Sequence, residues 1–178
     1  MMKSILTLLM VTTIFISCEK VEEEPDPIVL VSHGSFETEG TFTTDGWITN
    51  NTSSDPNAPT NGGVWSLRID PDLVPEEGYA DFIMNGLEGS KKYKLTACIN
   101  SFDSWPGSVS LRKVDSGGGV TVLASESSDE NAWILKTLEI NTTFIAGDQL
   151  VIRLSAGSTE TPAASKYVLF DLIELTEQ

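Results

Sequence analysis

Val64-Trp65-Ser66-Leu67-Arg68-Ile69-Asp70 alternates apolar and polar residues without a break. A period of two sets Trp65, Leu67 and Ile69 on one side of an extended chain and Ser66, Arg68 and Asp70 on the other. That is the pattern of a strand with one face against a core. The same rhythm recurs further along. Gly78–Met84 sets Ala80, Phe82 and Met84 against Tyr79, Asp81 and Ile83. Residues 93–99 set Tyr93, Leu95 and Ile99 against Lys94, Thr96 and Cys98, and residues 108–114 place Val109 and Leu111 on their apolar side. Further strands are expected at residues 120–125, 132–140, 149–155 and 166–175. Glycine, proline and serine clusters at 57–63, 72–78, 104–107, 116–119 and 156–162 supply turns between them. No helical stripe and no internal repeat compete with this reading. Short strands separated by turns predict an all-β, antiparallel sandwich or barrel.

The chain has 178 residues, 40% of them hydrophobic, which suits one domain with a packed core. Its 26 Asp+Glu against 11 Lys+Arg give a formal charge of −15. A surface so negative repels a phosphate backbone, and no basic cluster offsets it, so nucleic acid is excluded as a partner. Two cysteines cannot form a disulfide scaffold.

Residues 1–17, MMKSILTLLMVTTIFIS, carry an early Lys3, an apolar run from Ile5 to Ile16 and a small residue, Ser17, before Cys18. That order predicts a cleaved signal peptide, and the run is shorter than the roughly 20 residues that span a bilayer. Phe15-Ile16-Ser17-Cys18 resembles the lipobox of bacterial lipoproteins, which implies a lipid anchor on Cys18; ordinary secretion is the alternative. Residues 18–27 read as an acidic, proline-containing tether. Acids directly after the cysteine resemble the surface-export signal of Bacteroidota lipoproteins, which implies an outer-membrane protein displayed at the surface. The remainder, 28–178, is expected to be the folded domain. With Cys18 lipidated, Cys98 has no partner and no basic neighbour in sequence to activate it, so a passive thiol is expected.

Several motifs follow in order: His33-Gly34-Ser35-Phe36-Glu37, then Gly46-Trp47, then Gly62-Gly63-Val64-Trp65-Ser66-Leu67-Arg68-Ile69. Gly89-Ser90-Lys91-Lys92-Tyr93-Lys94-Leu95-Thr96, Trp133 and Val168-Leu169-Phe170-Asp171-Leu172-Ile173-Glu174-Leu175 complete the series. It resembles the jelly-roll carbohydrate-binding modules of the CenC type (families 4, 9, 16 and 22) within the galactose-binding-like superfamily. The likeness covers nearly all of the chain beyond the tether. Two positions depart from the family pattern: His33 stands where asparagine is usual, and Leu172 where the terminal strand has a second aspartate.

Strict alternation along the last strand would set Asp171 among Tyr167, Leu169, Ile173 and Leu175. A carboxylate buried there needs a cation or several donors. The resemblance implies that Glu37 and Asp171 hold a structural calcium ion, with backbone carbonyls completing the six to eight oxygens it takes. Pairing of Asp171 with Arg68 or Arg153, or capping of backbone amides, is the alternative.

Sugar sites combine an aromatic ring, on which a pyranose stacks, with a few polar groups that read hydroxyls. Trp65 and Trp133 alternate with apolar residues and are expected in the core. Trp47 follows a glycine and is either core or semi-exposed. Trp105, in the polar loop Ser101-Phe102-Asp103-Ser104-Trp105-Pro106-Gly107, is either a lid on the sandwich edge or an exposed platform. Polar candidates on strand faces opposite the core are Arg68, Asp70, Tyr79, Asp81, Asn100, Arg112 and Arg153; a solvated face of cross-strand ion pairs is the plainer reading.

The chain has one histidine, His33, and no G-x-S-x-G, phosphate loop, Cys/His metal spacing or glycosidase-like E-x-D-x-x-E. A non-catalytic module that binds carbohydrate is therefore expected, held to a membrane through Cys18 and working beside polysaccharide-utilisation or other envelope proteins. A structural or adhesin-like sandwich without a sugar site is the alternative.

Overall fold

The computed structural model describes residues 29–31, 33–161 and 165–178. The expected signal peptide, Cys18 and the tether lie outside the described residues. In chain order the strands are β1 (Glu37–Thr38), β2 (Thr41–Phe42), β3 (Trp47–Asn50), β4 (Thr52–Asp55), β5 (Ser66–Ile69), β6 (Asp72–Leu73) and β7 (Gly78–Met84). The second half supplies β8 (Gly89–Ser101), β9 (Gly107–Val114), β10 (Val120–Ser128), β11 (Ile134–Phe144), β12 (Gln149–Thr159) and β13 (Val168–Glu177). No helix occurs among the described residues.

Two sheets face each other. One runs β11-β8-β13-β5-β4, the other β10-β9-β12-β7-β3, with β6 added in parallel at the end of β12; β1 and β2 form a small hairpin. All the long pairings are antiparallel. Between the layers lie Leu67, Ile69, Tyr93, Leu95, Ile99, Val168 and Phe170 from the first sheet, and Ala80, Val109, Leu111, Leu150, Ile152 and Leu154 from the second. These are the apolar halves of the alternating runs, so period two places the strands and the sandwich closes on them.

The layers are joined on one flank by a single residue. β3 belongs to one sheet and β4 to the other, and Asn51 between them turns with φ 56°. Asparagine tolerates this left-handed conformation better than most residues. Its side-chain amide donates to the carbonyls of Asp70 and Pro71, and its own carbonyl accepts from Asp70 N–H.

Chain ends meet. Leu30 N–H donates to Leu175 O, and Ile173 N–H to Gly34 O at 2.8 Å. A Cβ on Gly34 would collide with the Ile173 carbonyl, so only glycine allows this approach.

Three expectations need correction. Trp133 is not in the core: it is half-buried, and its indole N–H lies 3.4 Å from Asn57 Oδ1. β11 points Leu138 and Ile140 inward against Leu95 and Tyr93, which leaves odd-numbered Trp133 and Leu135 outside. Trp65 is likewise half-buried beyond the start of β5, and its indole donates to Gly40 O. The alternation of β13 does not run through. A bulge between Asp171 and Glu174, with Leu172 at φ 51°, shifts the register by one, so Val168, Phe170, Ile173 and Leu175 point inward while Leu169 and Asp171 do not.

Candidate functional site

The outer face of the six-stranded sheet is built by subtraction. Once Ala80, Leu150, Ile152, Leu154, Val109 and Leu111 point inward, their neighbours must point out. Strand register arranges those neighbours in rows. One row holds Ser125, Ser110, Arg153, Asp81 and Ile48; the next holds Ser127, Ser108, Ser155, Tyr79 and Asn50; a third holds Val122, Arg112, Val151 and Ile83. Small hydroxyl side chains thus floor the middle, and Ile48 and Val122, each 55% exposed, stand at its two edges.

Charge on this face is organised around Arg153. Its Nε and Nη2 donate to Asp81 Oδ1 and Oδ2 at 2.7 and 2.6 Å, its Nη1 lies 3.4 Å from Glu77 Oε2, and its guanidinium sits 4.4 Å from the Tyr79 ring centroid. The hydrogen bonds to Asp81 hold Arg153 above the ordinary arginine range. Arg112 differs. Its Nε donates to Ser110 Oγ at 3.0 Å, and burial, aided by the Arg153 charge, pushes its pKa down.

The five-stranded sheet takes other expected residues to its own outer face. Arg68 is bound to Asp70, with Nη2 to Oδ1 at 2.6 Å, and lies 3.8 Å over the Tyr167 ring, which stacks on Phe102 at 4.2 Å. Asn100 is buried on that sheet, with Oδ1 lacking a hydrogen-bond partner among the described residues. Trp47 lies in the core against Phe36 and Phe82. Trp105 packs on the core edge as a lid, its indole donating to Ala156 O with Lys166 Nζ 4.6 Å from its ring centroid. The structure therefore brings Tyr79, Asp81, Arg112 and Arg153 together, and keeps Arg68, Asn100, Trp47 and Trp105 apart from them. Residue-by-residue reading missed the serines. Their signal was the spacing Ser108-Val109-Ser110 and Ser125-Glu126-Ser127, hydroxyls at every second position.

A second cluster lies where the first described segment meets β13. Asp171 is fully buried; its Oδ1 accepts from Leu172 N–H at 2.7 Å, while Oδ2 has no hydrogen-bond partner among the described residues. Glu37 Oε2 accepts from Val64 N–H at 2.8 Å. Loop 57–64 covers both carboxylates so closely that a Cβ on Gly62 would collide with Asp171 Oδ2, and one on Gly63 with Glu37 Oε2. Burial, and then the Glu37 charge, push Asp171 up to about 7 against the opposing pull of Leu172 N–H. The alternative arginine partners are taken, Arg68 by Asp70 and Arg153 by Asp81. No group of three or more His, Cys, Asp or Glu gathers anywhere among the described residues. Two carboxylates under one glycine loop, one of them with an orphaned buried oxygen, offer the hard oxygen donors that a cation such as calcium takes. Cys98 pairs in register with Asp171, and burial pushes its thiol up, away from the reactive thiolate.

No protein-family model matches the chain, and no curated protein matches its sequence. Solved structures do match its shape. A family 16 carbohydrate-binding module aligns with TM-score 0.55 and 17% identity over 74% of this chain and 91% of its own. The tandem family 22 modules of Paenibacillus barcinonensis Xyn10C align with TM-score 0.56 and 16% identity over 85% of this chain and 45% of theirs. TmCBM61, solved in complex with β-1,4-galactotriose, aligns with TM-score 0.52 and 15% identity over 85% of this chain and 99% of its own. The fold is the all-β jelly roll of carbohydrate-binding modules.

Proposed function

We propose that this protein is a non-catalytic carbohydrate-binding module that takes a poly- or oligosaccharide across the outer face of its six-stranded sheet. The observation that carries the reading is the pair of rows in which Tyr79, Asp81 and Arg153 continue into Ser155, Ser110 and Ser108. Arg153 clamps one face of the Tyr79 ring, so the half-exposed ring is held for an apolar sugar surface. Hydroxyls and the guanidinium then supply donors and acceptors for the sugar's own hydroxyls. The neighbours in fold include a module solved with a galactotriose, which supports sugar as the ligand class. Affinity electrophoresis through gels cast with plant, microbial and host polysaccharides tests the reading. At least one gel should retard the protein, and Tyr79→Ala should weaken that retardation by roughly fivefold, a stacking contact being worth about 1 kcal/mol. Free migration through every gel would remove it.

Glu37 and Asp171, with backbone carbonyls of loop 57–64, would hold a calcium ion whose work is structural: it would neutralise two buried carboxylates and tie the first strand segment to the last. Calcium at 100 times its dissociation constant would stabilise the fold by about 2.7 kcal/mol, so an unchanged melting temperature after thorough chelation would count against it. The lipid anchor at Cys18 and surface display at the outer membrane belong to the same proposal, since an anchored module would hold polysaccharide near degrading or importing proteins. Cys18→Ala should release the protein from the membrane fraction.

A further inference from the structure

Arg112 is the guanidinium of the six-stranded face that the protein itself leaves unanswered. Arg153 is matched by Asp81 and Glu77. Arg112 has only the Ser110 hydroxyl on its Nε, and its two terminal nitrogens donate to nothing among the described residues. Its flanks in register are Val122 and Val151, so no side chain beside it offers a charge. The acids nearest to it, Asp81 and Glu77, are those already engaged by Arg153. A half-buried cation beside a second cation and between two valines is a costly arrangement unless something outside the chain completes it.

We infer that the glycan is acidic, and that an oxyanion on the sugar, a uronate carboxylate or a sulfate ester, is received by the free Nη1 and Nη2 of Arg112. The inference rests on the carbohydrate reading and deepens it. The fork of an arginine matches such an anion with two parallel hydrogen bonds. Ser110, which already orients the Nε side of the guanidinium, turns the open side away from itself. Burial and the Arg153 charge bias Arg112 against its charged form, and an anion relieves both. The net charge of −15 does not forbid this. At physiological salt the Debye length is about 8 Å, so distant surface acids are screened, and the charges nearest Arg112, Arg153 against Asp81 and Glu77, balance its neighbour rather than Arg112 itself.

The test compares the purified protein on two matched pairs of gels: polygalacturonate against its methyl ester, and a sulfated galactan against the same galactan after desulfation. The charged member of at least one pair should bind at least about tenfold more tightly, the range for a hydrogen-bonded charge pair. Which pair responds tells carboxylate from sulfate. Arg112→Gln should abolish the preference for the charged member while leaving the melting temperature in place, and Arg112→Lys should keep part of it. Equal binding of charged and neutral members, or binding of neutral glycans alone, overturns the acidic ligand and leaves the carbohydrate reading standing. Binding to neither pair, nor to any neutral gel, overturns both.

Discussion

Asp81 illustrates how one side chain sets a whole face. It is 8% exposed and engages both oxygens with Arg153, which in turn lies over Tyr79. Asp81→Asn removes the charge that the guanidinium needs and should lower stability by about 1–2 kcal/mol, since a buried hydrogen-bonded ion loses its partner. The same change frees the clamp on Tyr79, so glycan retardation should fall together with the melting temperature. Asp171 makes a different prediction. Its folded pKa, raised to about 7, exceeds the ordinary 3.8, so the chelated protein binds its proton more tightly when folded. That contribution to stability is full below about pH 4 and is lost as pH rises through 7. In chelator, the melting temperature should therefore fall between pH 5 and 8, and Asp171→Asn should flatten the slope. A flat profile in the wild-type protein would show that the carboxylate is compensated by something else.

At the scale of elements, β13 carries both the closure of the fold and the limit of what alternation reveals. Strict alternation puts Asp171 with Ile173 and Leu175, yet the bulge at Leu172 separates them, because one residue in left-handed conformation resets every side chain after it. A bulge needs no glycine and leaves no mark in a hydrophobic pattern. β11 fails differently: Trp133-Ile134-Leu135 is apolar at three successive positions, and only the later Leu138 and Ile140 decide which residues turn inward. Arg68 and Arg112 look alike in sequence, each centred opposite apolar residues, but β5 pairs with β13 whereas β9 pairs with β12, which puts them on opposite outer faces. Strands β5 and β7–β13 were legible, but the short β1–β4 and β6 were not, and β12 runs on to Thr159 through part of an expected turn; sheet membership, which is a matter of long-range pairing, was not legible either. The meeting of β13 with the Phe36-Glu37 segment was implied by the family resemblance, and it is testable. Gly34→Ala drives a Cβ into the backbone carbonyl of Ile173 and should cost about 3 kcal/mol or more, far beyond a typical surface substitution.

For the molecule as a whole, the two sheets share one core, and neither has apolar residues to bury without the other. Far-ultraviolet circular dichroism, which reports the strands, and tryptophan fluorescence, to which Trp47 buried in that core contributes, should therefore change at one denaturant concentration. Two separated transitions would mean that a sheet stands alone. Flank geometry has a further effect. At Asn51 the backbone crosses from one sheet into the other between strands of only four residues each. On the opposite flank β10 lies beside β11 and breaks its register between Val122 and Ala124. The borders β3, β4 and β10 are thus short or bulged, whereas β11, eleven residues paired with β8 without a break, is the one long straight row of amides. A sheet propagating from one molecule into the next as fibre would therefore have to start along β11, the border that a second chain could extend.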